Sequence, residues 1–305
     1  MRNLLTLFEL STKDIQHVFA ITEDLKTKFL KGIREPLLPG RTMALLFEKQ
    51  SLRTRVSFET AMQHLGGGSL FLGQDVGWGE RESIADFARV LGQYVDVLVA
   101  RVSAHEKLDQ LAAHAECAVV NGLSDLAHPC QALADLYTMQ EVHGKLEGQK
   151  LAFVGDSNNV ARSLAVACAK LGVKFSIASP PGYLFDTDFT QQLARECPDV
   201  RLVQTHDPAE AVRGASAVYT DVWTSMGQEG ERAARTKAFA PFQVNQKLLN
   251  RAAANACFLH CLPARRGEEV TDEVIDGKQS AVVQQAGNRL HVQKGLLAWL
   301  LNTPS

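Results

Sequence analysis

From Thr42 to Gln285 the chain alternates short apolar, β-branched runs with stretches of helical periodicity, and this alternation restricts its fold more than any other feature. The strand candidates are Thr42–Phe47, Val95–Arg101, Ala118–Val120, Leu151–Gly155, Phe175–Ser179, Arg201–Thr205, Ala217–Asp221, Cys257–Leu262 and Ala281–Gln285. Between them, Phe58, Ala61, Met62 and Leu65 form one apolar stripe at helical spacing, with Gly66 placed to end that helix. Ile84, Phe87, Ala88 and Leu91 form another, and Val292–Leu301 a long apolar closing helix. Strands that alternate with helices pair in parallel and are covered on both faces. The expected fold is therefore α/β, with two doubly wound domains, each a central parallel sheet flanked by helices. A length of 305 residues suits two domains, and the polar stretch Gln140–Lys150 suits the boundary region between them.

The unusual polar residues fall just after the strand candidates. Ser51-Leu-Arg-Thr-Arg55 follows the first, Arg101 ends the second and Asn121 through Gln131 follows the third. Asp156-Ser-Asn-Asn159 follows the fourth, while Asp221 through Gly227 and His260-Cys-Leu-Pro263 end later ones. Open α/β sheets bind ligands beyond the carboxyl ends of their strands. Two such sheets facing each other would bring these segments to an active site in the interdomain cleft.

Each segment has a functional and a plainer reading. Ser51 to Arg55 offers two hydroxyls and two guanidiniums at a helix start, where free N–H groups favour a phosphate; the plainer reading is a capped, solvated helix end. In His128-Pro-Cys-Gln131, Pro129 suits the first helical position, so His128 and Gln131 can hold a carbonyl oxygen and an amide, or His128 can serve as a cap. The loop after Gly155 lacks GxGxxG, and the next strand ends without an acidic residue, which disfavours a dinucleotide. Its asparagines can instead bind a small substrate or cap a helix. Asp221 can hold a substrate ammonium, with the following loop as a lid or an ordinary connection.

Composition narrows the classes. A net charge of −2 carries no signal for nucleic acid or a membrane surface, and no apolar run reaches the length of a membrane helix. The opening segment has no signal-peptide core, so a cytoplasmic protein is expected. The cysteines 117, 130, 168, 197, 257 and 261 form no CxxC pair and read as free thiols. Cys257 and Cys261 with the distant His128 and Cys130 match no recognised zinc pattern, so no metal is expected.

Taken in order, these segments resemble the transcarbamylase family, and within it the ornithine branch. The match spans nearly the whole chain and adds Glu82-Ser-Ile-Ala-Asp86, Asn121-Gly-Leu-Ser-Asp125, Asp221-Val-Trp-Thr-Ser-Met-Gly227 and Asn288-Arg289 to the segments above. The resemblance implies that Ser51, Leu52 (through its backbone), Arg53 and Thr54 hold the phosphate of carbamoyl phosphate. It implies that Arg101, His128 and Gln131 engage the carbamoyl end, that Cys261 and Leu262 line the junction of the two substrates, and that Arg289 contacts carbamoyl phosphate. Asn159, Asp221, Ser225 and Met226 would bind ornithine. It further implies a carbamoyl-phosphate domain over 1–137, an ornithine domain over 138–289, a final helix over 290–305 packing back on the first, and a homotrimer.

The implied reaction is attack of the neutral ornithine amine on the carbamoyl carbon, giving citrulline and phosphate. Arg53, Arg101 and His128 would stabilise the developing charge, and Asp221 and Cys261 would position the amine, with no cofactor, metal or covalent intermediate. The chain departs from the family pattern at Leu52, where Thr is usual, at Gly77, where Gln or His is common, at Arg265, where His is frequent, and at Gly287, where Glu is usual. Gln74 or Arg81 is the candidate to replace the side chain absent at Gly77, and Trp78 to reshape the amine pocket. The alternatives are a transcarbamylase for another amine such as putrescine or an N-acylated ornithine, a nicotinamide-dependent oxidoreductase, and a silent homologue.

Overall fold

The computed structural model describes residues 2–79, 81–224 and 229–302. In chain order the elements are α1 (Thr12–Leu30), β1 (Thr42–Phe47), α2 (Leu52–His64), β2 (Gly68–Leu72), α3 (Ile84–Gly92), β3 (Val97–Arg101), α4 (His105–His114), β4 (Ala118–Leu123) and α5 (Pro129–His143). They continue with β5 (Lys150–Val154), α6 (Asn159–Lys170), β6 (Lys174–Ala178), α7 (Thr187–Glu196), β7 (Leu202–Thr205), α8 (Pro208–Val212), β8 (Ala217–Thr220), α9 (Arg232–Phe239), α10 (Gln246–Leu249), β9 (Cys257–His260), α11 (Asp272–Ile275) and α12 (Val282–Asn302). The chain divides into two units, Met1–Leu133 with Gly287–Ser305, and Ala134–Ala286. Among the described residues no helix is long and apolar enough to cross a membrane.

The first unit holds a four-stranded sheet in the order β2-β1-β3-β4, every pair parallel. Strand β1 is a continuous apolar run because both of its faces are covered, and Met43 through Phe47 are buried. Ser51 caps α2 by accepting the Thr54 amide, and the stripe Phe58, Ala61, Met62 and Leu65 is buried, as its spacing predicts. Gly66 follows at φ +82°, where a side chain would press a Cβ to 2.8 Å from that of Pro36.

Glycine has a different use in α12. A Cβ on Gly295 would collide with Thr22 Oγ1 of α1 and come within 2.8 Å of Val18 O, so the two helices pack through backbone contact. Gly295→Ala is expected to destabilise the protein by about 1–3 kcal/mol through overpacking, read as a lower thermal midpoint.

The second unit holds a five-stranded parallel sheet in the order β7-β6-β5-β8-β9. Phe153 and Tyr219 stack across neighbouring strands with ring centroids 5.4 Å apart. On one side of the sheet Val154, Val218, Phe258, Phe239 and Val274 belong to one buried cluster. Each large side chain buried in this way stabilises the unit by about 1.5–3 kcal/mol.

Most strand ends shift by one to three residues from the sequence reading, and three elements differ for a physical reason. Strand β2 is an addition: it is a sheet edge that opens on glycine, with its first three residues exposed, so it carries little apolar signal. Ala281–Gln285 is not a strand but the entry to α12. Val282, Gln285, Asn288, Arg289 and Val292 are buried at helical spacing while Val283 is 84% exposed, and the buried positions are mostly polar, which hides the period from a hydrophobic reading. Strand β9 stops at His260 rather than Leu262, because Leu262 takes φ +59°, a left-handed conformation that no strand residue adopts.

Candidate active site

In a doubly wound sheet the crevice for a ligand opens where neighbouring strands send their connections to opposite sides. The order β2-β1-β3-β4 puts that point between β1 and β3, and the order β7-β6-β5-β8-β9 puts it between β5 and β8. Polar residues collect at the carboxyl ends of these strands in both units.

After β1, Ser51 Oγ accepts the Thr54 amide at 3.3 Å and bonds Thr54 Oγ1 at 3.1 Å. Leu52 is exposed, so it presents backbone rather than side-chain chemistry to the helix start. Arg55 is committed elsewhere, stacked 3.7 Å over the Phe71 ring and paired with Glu59 at 3.2 Å. Arg53 is half-buried and makes no ion pair among the described residues, so it is the guanidinium of this helix start that is available to an anion.

Arg101 ends β3 and is buried, and the β3–β4 register shifts between Ala100 and Arg101. Such irregularities re-aim a side chain at the end of a ladder. His128 sits just before Pro129, the first residue of α5, and its carbonyl accepts the Gln131 amide at 3.1 Å. From α12, Arg289 reaches Gln131 Oε1 at 2.6 Å and Thr54 Oγ1 at 3.1 Å, tying α2, α5 and α12 together. Burial holds His128 well below the usual imidazole range, reinforced by the Arg289 and Arg101 guanidiniums. The ring is therefore neutral at physiological pH. Two buried guanidiniums, a neutral imidazole and a helix N-terminus can hold a dianion and polarise a carbonyl oxygen.

In the second unit Asp221 follows β8 and is buried. Its Oδ1 accepts from the Val222 amide at 2.8 Å and from the Cys261 thiol at 3.1 Å, and its Oδ2 accepts from Asn158 Nδ2 at 2.8 Å. Asn158 also caps α6, its Oδ1 accepting the Val160 and Ala161 amides. Asn159 opens that helix half-buried, and its Oδ1 accepts the Val160 amide at 2.9 Å. A carboxylate fixed by neutral donors keeps its charge available to a cationic partner.

Cys261 and Leu262 are shaped from behind. The Leu262 amide donates to His260 Nδ1 at 2.9 Å, which leaves Nε2 to donate to the fully buried Glu269 at 3.2 Å. Gln285 accepts the His260 amide at 2.9 Å and donates to Asp135 at 2.6 Å. The left-handed Leu262 is thus held by a hydrogen-bonded chain, the kind of over-determined strain that collects at functional sites. Burial pushes the Cys261 thiol well above its usual range, and the adjacent Asp221 carboxylate adds to the shift. Cys261 is therefore a protonated hydrogen-bond donor, not a thiolate nucleophile. Its alkylation by iodoacetamide at pH 8 is expected to run at least about tenfold slower than that of a free thiol. Removing the charge in Asp221→Asn should speed it.

Ligand atoms of Asp221, His260 and Cys261 lie within 4.8 Å of one another, the one group of this kind among the described residues. Both His260 nitrogens are already engaged and the thiol is protonated, so the cluster is built as a hydrogen-bond network rather than a metal centre.

The family description of an aspartate/ornithine carbamoyltransferase carbamoyl-P binding domain matches residues 2–141, and that of the Asp/Orn binding domain matches residues 147–300. The chain belongs to the aspartate/ornithine carbamoyltransferase family. Among similar members, an ornithine carbamoyltransferase of Anoxybacillus flavithermus is 51% identical, with 98% of this chain and 96% of that one covered. One of Bacillus subtilis is 50% identical, covering 98% and 94%. A solved ornithine carbamoyltransferase of Pyrococcus furiosus superposes with a TM-score of 0.96 at 46% identity, covering 100% of this chain and 98% of that one.

Within the first unit of this family member, Thr54, Gln131 and Arg289 are in direct contact, and Arg101 and His128 are electrostatically coupled to Arg289 or to each other. Within the second, Asp221 is in contact with Cys261 and with Asn158, the neighbour of the sequence candidate Asn159. Ser225 and Met226 lie outside the described residues. Gln74 is tied to Glu48 O at 2.6 Å, and Trp78 is buried against Phe87 and Lys107. Sequence reading missed Arg235, which is buried, donates to Trp223 O at 2.5 Å and pairs with Asp156, so that it anchors the segment after β8 to the end of β5. It also missed Glu269 and Gln285. No local pattern marks these residues, and Arg235 and Glu269 lie in charge-rich stretches that read as surface.

Proposed function

We propose that the chain transfers the carbamoyl group of carbamoyl phosphate to the side-chain amine of L-ornithine, giving L-citrulline and phosphate. The observation that carries this reading is the pairing of a buried cationic, hydrogen-bond-donating site at the β1/β3 switch point with a buried carboxylate site at the β5/β8 switch point, in a chain about half identical to ornithine carbamoyltransferases over nearly its full length. The first matches a phosphate bearing a carbonyl, the second a substrate carrying a cationic amine.

Ser51, the Leu52 backbone, Arg53 and Thr54 hold the phosphate at the start of α2. Arg101, His128 and Gln131 engage the carbamoyl group, with Arg289 bracing Thr54 and Gln131. Asp221, Asn159, Ser225 and Met226 hold ornithine, and Cys261 and Leu262 line the place where the amine attacks. The amine reacts as the free base. Charge builds first on the carbonyl oxygen, which the neutral His128 and the Arg101 guanidinium stabilise; a donor of this kind contributes roughly 3–4 kcal/mol. The charge then passes to the departing phosphate, where Arg53 and the free amides of α2 receive it, and the phosphate takes up the amine proton. Orientation of the two reactants contributes a further share, up to about 7–11 kcal/mol in well-aligned cases.

The proposal extends to a homotrimer in the cytoplasm, and the exposed apolar Leu52 and Val56, one turn apart on α2, and Leu70 on the edge strand β2 are available to a subunit contact. Assay of the protein with carbamoyl phosphate against ornithine, putrescine, N-acetylornithine and aspartate tests the reading. Citrulline formation from ornithine at a rate far above the other amines is expected, and preference for a different amine would overturn the ornithine assignment.

A further inference from the structure

Between Arg101 and α4 the chain runs through Val102, Ser103 and Ala104 to His105, and this short connection is tied on two sides. On one, Glu48 at the end of β1 accepts the Ser103 amide at 2.7 Å and its hydroxyl at 2.6 Å. On the other, the Val102 amide donates to Leu123 O at 2.9 Å and the His105 amide to Asp125 Oδ1 at 2.8 Å. The second set of contacts reaches the bend that leads from β4 to His128.

At the centre of that bend lies the hydroxyl of Ser124, a fully buried residue. It accepts from the Ala127 amide at 3.2 Å and from Asn121 Nδ2 at 3.2 Å, which fills both of its lone pairs. Its single proton has His105 Nδ1 at 2.7 Å and Ala127 O at 3.4 Å in reach. Ala127 O already receives the Ser124 amide at 3.0 Å and Asn121 Nδ2 at 3.2 Å. The shorter contact takes the proton, so His105 Nδ1 accepts and Nε2 carries the ring hydrogen toward Asp109, whose carboxylate is 3.8 Å away. A Ser–His–Asp grouping of this kind resembles a nucleophile and its base, but Ser124 has no access to a substrate and Asp109 is largely exposed. The grouping has a different use.

We propose that His105 is a positioning residue for carbamoyl transfer: through Nδ1 it fixes the Ser124 hydroxyl, and with it the bend that sets His128 in register with Arg101. His105 lies four residues after Arg101, and Ser124 four before His128, so one hydrogen bond joins the two segments that meet the carbamoyl oxygen. An imidazole serves because its Nδ1 lies close to the backbone and accepts in a fixed direction. The inference rests on the carbamoyl-transfer reading above.

Steady-state kinetics of the wild type, His105→Ala, His105→Asn and His105→Gln test it, with the thermal midpoint of each. Asparagine places its oxygen where Nδ1 lies, and glutamine places its oxygen nearer Nε2. His105→Ala is expected to lower kcat by about 10- to 100-fold, with the ornithine KM changed less than about twofold because the second unit is untouched. His105→Asn should recover kcat to within about threefold of the wild type and His105→Gln should not. Wild-type kcat in all three variants, or equal losses in all three that track falling midpoints, would overturn the proposal. Should His105→Ala be insoluble, Ser124→Ala carries the same expected loss, and wild-type kcat there would overturn it equally. A wild-type protein that makes no citrulline refutes the carbamoyl-transfer reading and this inference with it, whereas an active wild type with insensitive variants refutes the role of His105 alone.

Discussion

Arg101→Leu lowers kcat by about 10²–10³-fold, the loss expected when one preorganised donor to a developing oxyanion is removed. The thermal midpoint, by contrast, stays level or rises. Arg101 is buried, and its guanidinium and that of Arg289 both hold down the basicity of His128, so like charges crowd one small region. Such crowding costs the empty protein stability, and an apolar side chain, which carries no charge, relieves it. The same substitution removes one of the two cations acting on His128, so its imidazole should titrate at a higher pH in the variant, readable by NMR. Arg101→Leu with a kcat within about threefold of the wild type would remove Arg101 from the mechanism.

Asp221→Asn lowers kcat/KM for ornithine by about 10²–10³-fold, as expected when one partner of a buried ion pair is neutralised. The carboxylate is held by the Val222 amide, the Cys261 thiol and Asn158. Asparagine can keep the first two bonds through its oxygen, but its NH2 then faces Asn158 Nδ2, donor against donor. Both the charge and one supporting bond are lost, while α6 keeps its cap because Asn158 Oδ1 faces the helix. Binding of a carbamoyl phosphate analogue such as phosphonoacetamide, measured calorimetrically, should change little, since Ser51, Arg53, Thr54, Arg101 and His128, the residues proposed to hold its charge, lie in the first unit. Equal loss of both ligands would show that Asp221 supports the fold rather than the amine.

The α/β architecture was legible because buried parallel strands must be apolar throughout, as β1, β3 and β5 are, and because helix punctuation such as Ser51, Gly66 and Pro129 acts locally. The candidate site residues Ser51 to Arg55, Arg101, His128 and Asp221 stand out locally too, as polar residues at the ends of apolar runs. What escaped the sequence depends on distant partners. Gln285 occupies a buried turn of α12 whose apolar period is broken by polar side chains, and a strand was read over Ala281–Gln285 instead. Arg235 finds Asp156 across 79 positions of sequence, and Glu269 finds His260 only because the chain turns back after a left-handed Leu262. Asn158 and Asn159 stand side by side, and only the helix geometry decides which of them caps α6 and reaches Asp221.

The most direct test of the central claim is the ratio of citrulline to phosphate formed from carbamoyl phosphate and ornithine, followed together in one assay. Carbamoyl transfer predicts one citrulline for every phosphate released above the spontaneous rate, and no enzyme-dependent phosphate when ornithine is omitted. Phosphate release without matching citrulline, or release that does not need ornithine, would contradict it.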